Sequence, residues 1–203
     1  MAEFFDKYVF DKSSILGSGG YGSVFSGFYN ERPVAVKMVE RFKISSWVYD
    51  QTIGEYIPQE VAMMKRLRDV EGCIKIIDYH INPTACFIVM ERPDPTQDLF
   101  EFVKAKGRLP EPLCRTVLKQ IVQTTIECHE MGVFHNDLKE ENILISPVTN
   151  KVKVIDFGTA CYLHQGSYRY IQDTMSKKEW NFRHNKLQTK SGFQMPSIWS
   201  FIF

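Results

Sequence analysis

The sequence predicts an α+β protein of two lobes, a β-rich N-terminal lobe with one helix and a mostly helical C-terminal lobe. The first observation is that strand-like segments dominate residues 8–40. The second is a change to helical spacing of apolar residues near Pro58. The third is the stretch ERPDPTQD at 91–98, whose two prolines cannot continue a strand and which therefore separates the lobes.

Four segments of the N-terminal lobe predict β-strands, because each is rich in β-branched and aromatic residues. They are SVFSGFY, PVAVKMV, CIKIIDYHI and ACFIVMER, at residues 23–29, 33–39, 73–81 and 85–92. The turn-forming stretch NERP separates the first two. This lobe is therefore predicted to be built on a β-sheet.

Three segments predict helices. Segment 58–70, PQEVAMMKRLRDV, repeats apolar residues at three- and four-residue spacing, and Pro58 suits the first helical position. Segment 98–105, DLFEFVKA, predicts a short helix. Segment 111–132 predicts a long helix that Gly132 closes.

The predicted domain boundaries follow from these elements. The N-terminal lobe covers residues 1–90 and the Pro-rich hinge covers 91–97. A partial C-terminal lobe covers 98–160. Residues 161–203 form a basic, divergent tail that we expect to be partly disordered.

Composition excludes several classes of protein. The chain is 44% hydrophobic and 24% charged, as in ordinary globular proteins, and its net charge of +1 favours neither nucleic acid nor membrane as a partner. The five cysteines include no C-x-x-C pair, which disfavours a zinc site or a disulfide framework. Because the N-terminus does not resemble a signal peptide, we expect the protein in the reducing cytoplasm, with the nucleus as a second compartment. We also expect a monomer.

The glycine-rich stretch LGSGGYGSV, residues 16–24, places Gly17, Gly19 and Gly22 at G-x-G-x-x-G spacing. Dinucleotide-binding proteins and protein kinases share this spacing, and Glu40 stands near the position of a ribose-binding acid. A dinucleotide-binding fold needs a helix after the glycines, whereas this sequence continues as a strand. The glycines are therefore predicted to lie in a hairpin whose backbone N–H groups can approach phosphates, with a plain turn as the alternative.

Lys37 ends the apolar stretch VAVK and is flanked by positions predicted to be buried. Such a lysine extends its ammonium to solvent or pairs with an acid. Glu60, on the predicted helix, is the natural partner, whereas Glu55 precedes Pro58 and is expected to lie off the helix. A Lys–Glu pair could orient the ammonium toward the phosphates of a nucleotide, and a purely structural lysine is the alternative.

Two later motifs concentrate polar side chains. In HNDLKEEN, Asp137 can accept a proton from a hydroxyl, Lys139 can steady a transferring phosphoryl group, and Asn142 can offer an oxygen to a metal ion. In VIDFG, Asp156 follows an apolar strand and can bind Mg²⁺. Four motifs in this order predict phosphoryl transfer rather than a set of solvated charges.

On these residues the chain resembles a eukaryotic protein kinase, and specifically the Pim family of Ser/Thr kinases. The Pim likeness rests on LGSGGYGSVFSG, IPQEV and above all MERPDPTQDLFEF at 90–102, which contains a Glu-Arg-Pro-acid-Pro hinge. The resemblance covers residues 8–160. It implies a bilobal protein-kinase-like fold, ATP and Mg²⁺ as cofactors, and protein substrates.

The resemblance also implies roles for individual residues. The positions expected to contact ATP are Leu16, Gly17, Ser18, Gly19, Gly20, Tyr21, Gly22, Ser23, Val24, Ala35, Lys37, Met90, Glu91 and Leu144. Among them Met90 would be the gatekeeper, and Glu91 would offer its backbone carbonyl to the adenine. Asp98, Glu101 and Glu141 fall at positions that face basic substrate residues, so Arg/Lys-rich peptides are the expected substrates.

The chain departs from the family pattern in two places. Asn136 replaces the arginine that binds an activation-loop phosphate in many kinases, which disfavours control by that phosphate. After Gly158 no Ala-Pro-Glu or Pro-Pro-Glu motif follows, so we expect an incomplete C-lobe with poor packing beyond Gln172. The expected function is an ATP-dependent protein Ser/Thr kinase; the alternative is a truncated, inactive module that binds nucleotide or partners without catalysis.

Overall fold

The computed structural model describes residues 2–20 and 22–163, which form four α-helices and twelve β-strands. The helices are α1 (Ala2–Lys7), α2 (Gln59–Arg66), α3 (Leu99–Lys106) and α4 (Glu111–Glu130). The strands are β1 (Val9–Gly19), β2 (Gly22–Tyr29), β3 (Arg32–Glu40), β4 (Trp47–Asp50), β5 (Glu55–Pro58), β6 (Ile76–Ile81), β7 (Ala85–Glu91), β8 (Gln97–Asp98), β9 (Val133–Phe134), β10 (Ile143–Ile145), β11 (Val152–Val154) and β12 (Cys161–Tyr162).

The N-lobe is built on a five-stranded antiparallel sheet in the order β1-β2-β3-β7-β6. The central strand β3 is buried on both faces. Val34 and Val36 pack into an aromatic cluster that includes Tyr8 and Phe87, whereas Ala35 packs toward α2 and the interlobe core. Burial on both faces explains why this strand is a nearly continuous apolar run instead of an alternating one. The strands predicted for this lobe are confirmed.

Helix α2 is shorter than the sequence predicts. Pro58 has an extended ψ of 140° and precedes the helix, so its assignment to the first helical position is wrong. The helix ends at Arg66, and the N–H of Val70 bonds to the carbonyl of Leu67 in a tighter turn, 3.0 Å away. Val70 is nevertheless buried, which accounts for the apolar spacing that suggested a longer helix.

Helix α1 and the β4–β5 hairpin were not predicted. Helix α1 covers one edge of the aromatic cluster, with Phe4 and Phe5 packed against it. The β4–β5 hairpin lies between β3 and α2, and its Tyr49 and Tyr56 rings meet edge to face at 5.3 Å. A signal for the hairpin was present, since its strands are rich in aromatic and β-branched residues and Gly54 supplies a left-handed turn with φ 71°.

The C-lobe combines helices with short strands. Both predicted helices are present as α3 and α4, and α4 ends just before Gly132, whose φ is 71°. Strands β11, β10 and β8 form one small sheet, while β12 pairs with β9. The hinge segment contains a cis peptide bond between Asp94 and Pro95. These strands carry the loops on which the polar motifs lie.

One apolar core joins the two lobes. It contains Met64 of α2, Cys128 of α4, Val154 of β11 and Phe157. Because the core is continuous, the loops of both lobes are held against the same packed interior. No helix within residues 2–20 and 22–163 is long and apolar enough to cross a membrane.

Some predictions concern residues outside those described. The expected poor packing beyond Gln172, and nearly all of the divergent tail 161–203, fall in this category. Tyr21, which is expected to contact ATP, also lies outside the described residues.

Candidate active site

Lys37 is the centre of a buried charge cluster. It lies in β3, between Val24 of β2 and Ile88 of β7. Its Nζ is 2.6 Å from Oε1 of Glu60 and 2.7 Å from Oδ1 of Asp156, and its side chain is 6% exposed. The structure therefore contains the predicted Lys37–Glu60 pair and adds Asp156 to it.

The competing acid lies elsewhere. Glu55 is the first residue of β5, is exposed, and lies off the helix, as the position of Pro58 predicted. Glu60 instead lies in the first turn of α2, where a carboxylate also interacts favourably with the helix dipole. The choice between the two acids thus follows from where the helix begins.

The three charges of the cluster set one another's ionisation. Burial by itself lowers the pKa of Lys37, but the carboxylates of Glu60 and Asp156 outweigh it, so its pKa is raised and the ammonium stays charged. Burial raises the pKa of Asp156, yet Lys37 outweighs it and brings that pKa below its ordinary value. For Glu60 burial dominates, and its pKa is raised although Lys37 acts in the opposite direction.

Asp156 reaches this cluster because of its backbone. It follows β11 with a left-handed φ of 61°, and its Oδ1 accepts a 3.4 Å hydrogen bond from the N–H of Gly158. The next side chain, Phe157, is 1% exposed and is anchored in the interlobe core. The buried phenylalanine and the turn together hold the carboxylate toward Lys37.

A second polar group lies on the loop between β9 and β10. Lys139 Nζ lies 2.9 Å from Oδ2 of Asp137, and Nδ2 of Asn142 donates to the backbone carbonyl and to Oδ2 of Asp137, at 2.8 and 3.1 Å. The hydrogen bond with Asp137 raises the pKa of Lys139. Asn142 is buried, so its amide is a fixed support for Asp137. The three predicted residues are therefore in mutual contact.

His135 supports both groups, and sequence reasoning gave it no role. Its Nε2 bonds to the carbonyl of Ile155 at 2.9 Å, and its Nδ1 accepts from the N–H of Asp137 at 3.3 Å. Its ring meets Phe157 edge to face at 4.9 Å. Burial lowers the pKa of His135, so the ring is neutral and Nε2 carries the proton. Its partner Ile155 lies 20 residues away, a contact that no local pattern indicates.

Asn142 and Asp156 carry oxygen atoms of the kind that a magnesium ion prefers. Nδ2 of Asn142 is used by Asp137, which leaves the amide oxygen for a cation, and the lowered pKa of Asp156 keeps its carboxylate ionised. Mg²⁺ prefers such oxygen ligands and usually takes only one or two side chains together with phosphate and water. The described residues contain no group of three or more His, Cys, Asp or Glu side chains that could hold a metal.

The glycine-rich stretch forms the predicted hairpin. Gly17 pairs with Val24, and Gly19 pairs with Gly22, across β1 and β2. Gly22 has φ 117°, and a Cβ there would lie 2.4 Å from the carbonyl oxygen of Met38, so only glycine fits. A Cβ at Gly17 or Gly19 would meet nothing within 4 Å, so the described residues leave this surface of the hairpin open.

Four of the residues expected around the adenine belong to the interlobe core. Ala35 and Met90 are buried members of that core, and the partly buried Val24 and Leu144 pack against it. Leu16, in β1, is 48% exposed. These side chains supply apolar surface from both lobes, as a site for an aromatic ring requires.

The acidic residues expected to contact substrate have local roles in this structure. Asp98 caps α3 by accepting a 2.8 Å hydrogen bond from the N–H of Glu101, and Glu101 pairs with Lys104 at 3.1 Å. Glu141 is exposed on the loop that carries Asn142. The interaction of these three acids with a basic substrate stays a prediction.

The segment after Asp156 is tied to both lobes. Nδ2 of Asn136 donates to the carbonyl of Thr159 at 3.4 Å, and Nε2 of Gln59 donates to the carbonyl of Ala160 at 2.7 Å. The side chain that replaces the usual arginine is therefore used in a neutral hydrogen bond. Sequence reasoning missed Gln59, because this bond joins residues 101 positions apart.

This combination defines a class of protein. A lysine in the central strand of an N-terminal sheet, paired with a glutamate on the neighbouring helix and with an aspartate at the end of a strand in the other lobe, is the arrangement of a protein kinase domain. The family model described as "Protein kinase domain" matches residues 10–181, more than half of the chain. The chain belongs to this family. The match extends beyond residue 160, where the motif-based resemblance ends.

Two relatives show which protein kinases this chain is similar to. The chain is 36% identical over 196 residues to serine/threonine-protein kinase pim-2 of Danio rerio, covering 90% of this chain and 62% of the relative. It is 39% identical over 161 residues to serine/threonine-protein kinase prk-2 of Caenorhabditis elegans, covering 78% and 36%. The chain thus spans less than two thirds of the length of these relatives. The first similarity confirms the Pim-like resemblance.

Proposed function

We propose that the chain is an ATP-dependent protein Ser/Thr kinase that transfers the γ-phosphoryl group of ATP to a Ser or Thr hydroxyl, leaving ADP. The observation that carries the proposal is the contact of Lys37 with both Glu60 and Asp156. Burying an ammonium and two carboxylates from different lobes costs desolvation free energy, which indicates that the arrangement serves a purpose beyond stability. Binding of nucleotide phosphates beside Lys37 supplies such a purpose.

Each polar residue has a defined task in this reaction. Lys37 binds the phosphates, and Glu60 orients its ammonium. Asn142 and Asp156 would hold Mg²⁺, which neutralises charge on the phosphates when bound. Asp137 accepts the proton of the attacking hydroxyl, and Lys139, 2.9 Å from it, steadies the transferring group.

The remaining assignments are part of the same proposal. The glycine hairpin covers the phosphates, and Val24, Ala35 and Leu144 enclose the adenine beside the gatekeeper Met90. Asp98, Glu101 and Glu141 attract Arg/Lys-rich peptides, because acidic side chains near a cleft favour cationic ligands. We propose a monomer that acts in the cytoplasm and the nucleus.

Separate measurements of nucleotide binding and phosphoryl transfer test the proposal. The purified chain should be stabilised against heat by Mg·ATP. It should also transfer the labelled γ-phosphoryl group of ³²P-ATP to an arginine-containing Ser peptide. Asp137→Asn should retain the thermal stabilisation and lose about 10²–10⁴-fold in kcat, because the proton acceptor is removed. The matched control is Asp69→Asn, which changes an exposed aspartate paired with Arg68 and should leave phosphoryl transfer like that of the wild type.

The outcomes distinguish the two functions. ATP binding without transfer in the wild type would identify the alternative, a nucleotide-binding module without catalysis. Absence of ATP binding would overturn the proposal altogether. Equal transfer by wild type and Asp137→Asn would remove Asp137 from its assigned role.

A further inference from the structure

The carboxylate of Glu91 joins three parts of the molecule. Glu91 is the last residue of β7, at the start of the hinge. Its Oε1 accepts a 3.0 Å hydrogen bond from the backbone N–H of Lys75, just before β6, and lies 2.8 Å from Nζ of Lys153 in β11. The N–H of Glu91 in turn donates to the carbonyl of Lys75 at 2.9 Å. One side chain therefore connects the N-lobe sheet, the hinge and the C-lobe.

Lys153, the C-lobe partner of Glu91, lies on the strand next to a residue of the proposed nucleotide pocket. Lys153 of β11 pairs in register with Leu144 of β10, which would form the floor of that pocket. Met90, the proposed gatekeeper, immediately precedes Glu91 along β7. The Glu91–Lys153 pair thus spans from the hinge side of the pocket to its floor.

The two lysines near Glu91 have different tasks. Nζ of Lys75 is directed to the carbonyl of Val70, so only its backbone N–H serves Glu91. Burial, followed by the nearby charge of Lys153, lowers the pKa of Lys75, as expected for two neighbouring ammonium groups. Lys153 is left as the ionic partner of Glu91.

Burial separates this pair from ordinary surface pairs. The side chains of Lys153 and Glu91 are 21% and 31% exposed, whereas those of Lys151 and Glu71, from the same region, are 74% and 85% exposed. Partly buried pairs are screened less by salt, and breaking one leaves a charge without its partner. The Lys153–Glu91 pair is therefore screened less than the Lys151–Glu71 pair.

We propose that the Glu91 side chain is a positioning residue for adenine nucleotides, which holds the hinge against β11 and so sets the separation between Met90 and Leu144. This role belongs to the carboxylate and is distinct from the backbone carbonyl expected to contact the adenine. It rests on the proposed function, because it concerns how tightly ATP binds in the same pocket. It predicts an effect on nucleotide affinity that exceeds any effect on the chemical step.

A double-mutant cycle on the full chain tests the proposal. In Glu91→Ala and in Lys153→Met, Kd and KM for ATP should rise about tenfold, the size expected for a lost hydrogen bond to a charged group. The change in kcat should be much smaller, because Lys37 and Asp137 are untouched. The double variant should bind ATP no more weakly than Glu91→Ala, because that change already removes the interaction with Lys153.

Conservative variants separate positioning from folding. Glu91→Gln keeps an acceptor for the N–H of Lys75 and should melt close to the wild type, yet it should still weaken ATP binding. Lys153→Arg should bind ATP more tightly than Lys153→Met does, because it keeps the positive charge. Lys151→Met, on the same β10–β11 hairpin, should leave Kd and KM for ATP unchanged.

The contrary results are distinct. Additive effects in the double variant, a loss confined to kcat, or unchanged ATP affinity in Lys153→Met would each overturn the role of Glu91. A wild-type chain that binds no ATP would overturn the proposed function and this role together. ATP binding that is equally tight in all variants would overturn only the role of Glu91.

Discussion

Two groups of charges in this protein are held in opposite ways. Lys37 contacts Glu60 and Asp156, which are 23 and 119 residues away along the chain, and the lysine side chain is only 6% exposed. Asp98 accepts a hydrogen bond from the backbone N–H of Glu101, and Glu101 pairs with Lys104, so each contact joins residues three positions apart. The side chains of Glu101 and Lys104 are more than half exposed. The first group is a product of tertiary structure, and the second a product of local sequence.

This difference explains how each group can function. A buried charge that loses its partner is strongly unfavourable, so every member of the Lys37 cluster is constrained by the others. Exposed pairs contribute little to stability and are screened by salt, so their carboxylates can exchange partners with a ligand. Chemistry that needs fixed geometry suits the first group, and adaptable recognition of substrates suits the second.

The largest effect should come from breaking the buried cluster. Lys37→Met should reduce phosphoryl transfer by about 10²–10³-fold, because it removes a preorganised charge from the phosphates. It should also lower the melting temperature, since Glu60 and Asp156 would then lack their shared cation. Kinetics with saturating peptide and calorimetry measure the two effects. Lys104→Met, at an exposed pair, is the control that should change neither. Normal ATP affinity and activity in Lys37→Met would show that the lysine is only structural.

A smaller effect should follow from neutralising the exposed acids. Asp98→Asn together with Glu101→Gln should raise KM for an Arg-rich peptide about 2–10-fold, as expected for exposed ion pairs, and should weaken the dependence of KM on salt. Asparagine can still cap α3, so the fold should be retained. Initial-rate kinetics at several salt concentrations provide the measurement.

A neutral peptide and a distant acid supply the controls for this test. The double variant should phosphorylate an uncharged peptide like the wild type. Glu111→Gln, which removes an exposed acid paired with Arg115 at the start of α4, should leave both peptides unaffected. An unchanged preference for basic peptides in the double variant would contradict the assigned substrate role.

The smallest effect concerns the buried ring of His135. His135 has a pKa lowered from 6.5 by burial, so below pH 6.5 the unfolded chain binds a proton that the native ring does not. Stability should therefore fall as pH decreases from 6.5 toward the native pKa, by at most about 1.4 kcal/mol per pH unit for this single proton. Above pH 6.5 the ring contributes no pH dependence.

Urea unfolding at pH 5 and pH 7 checks this prediction. In His135→Gln the difference in stability between the two pH values should be smaller than in the wild type, although the variant is less stable at both. An equal difference in wild type and His135→Gln would show that His135 does not titrate as proposed.

Much of the fold could be predicted because the signals are local. The strands around Lys37 and the helix α4 follow from apolar runs, turn residues and proline positions that act within a few residues. The end of α2 and the β4–β5 hairpin were missed or misplaced. At Val70, burial produced helical spacing without a helix, and at the hairpin a real strand signal was not used.

The candidate site shows the same contrast between local signals and long-range contacts. The residue types and order of the motifs identified Lys37, Glu60, Asp137, Asn142 and Asp156, since phosphate chemistry needs those groups. The supporting contacts of His135 with Ile155 and of Gln59 with Ala160 could not be predicted, because they join segments 20 and 101 residues apart.

By itself, the sequence determined the class of this protein through the order of its motifs: a glycine-rich hairpin, a strand lysine, the aspartate of HNDLKEEN and the aspartate of VIDFG. Only the tertiary structure decided which charged side chains share a site and which protonation state each of them adopts. Burial and partner distance set the ionisation of Lys37, Asp156 and His135, and both depend on how the lobes pack. The contact of Glu91 with Lys153 likewise exists only after the hinge meets β11, because 62 residues of chain separate the two side chains.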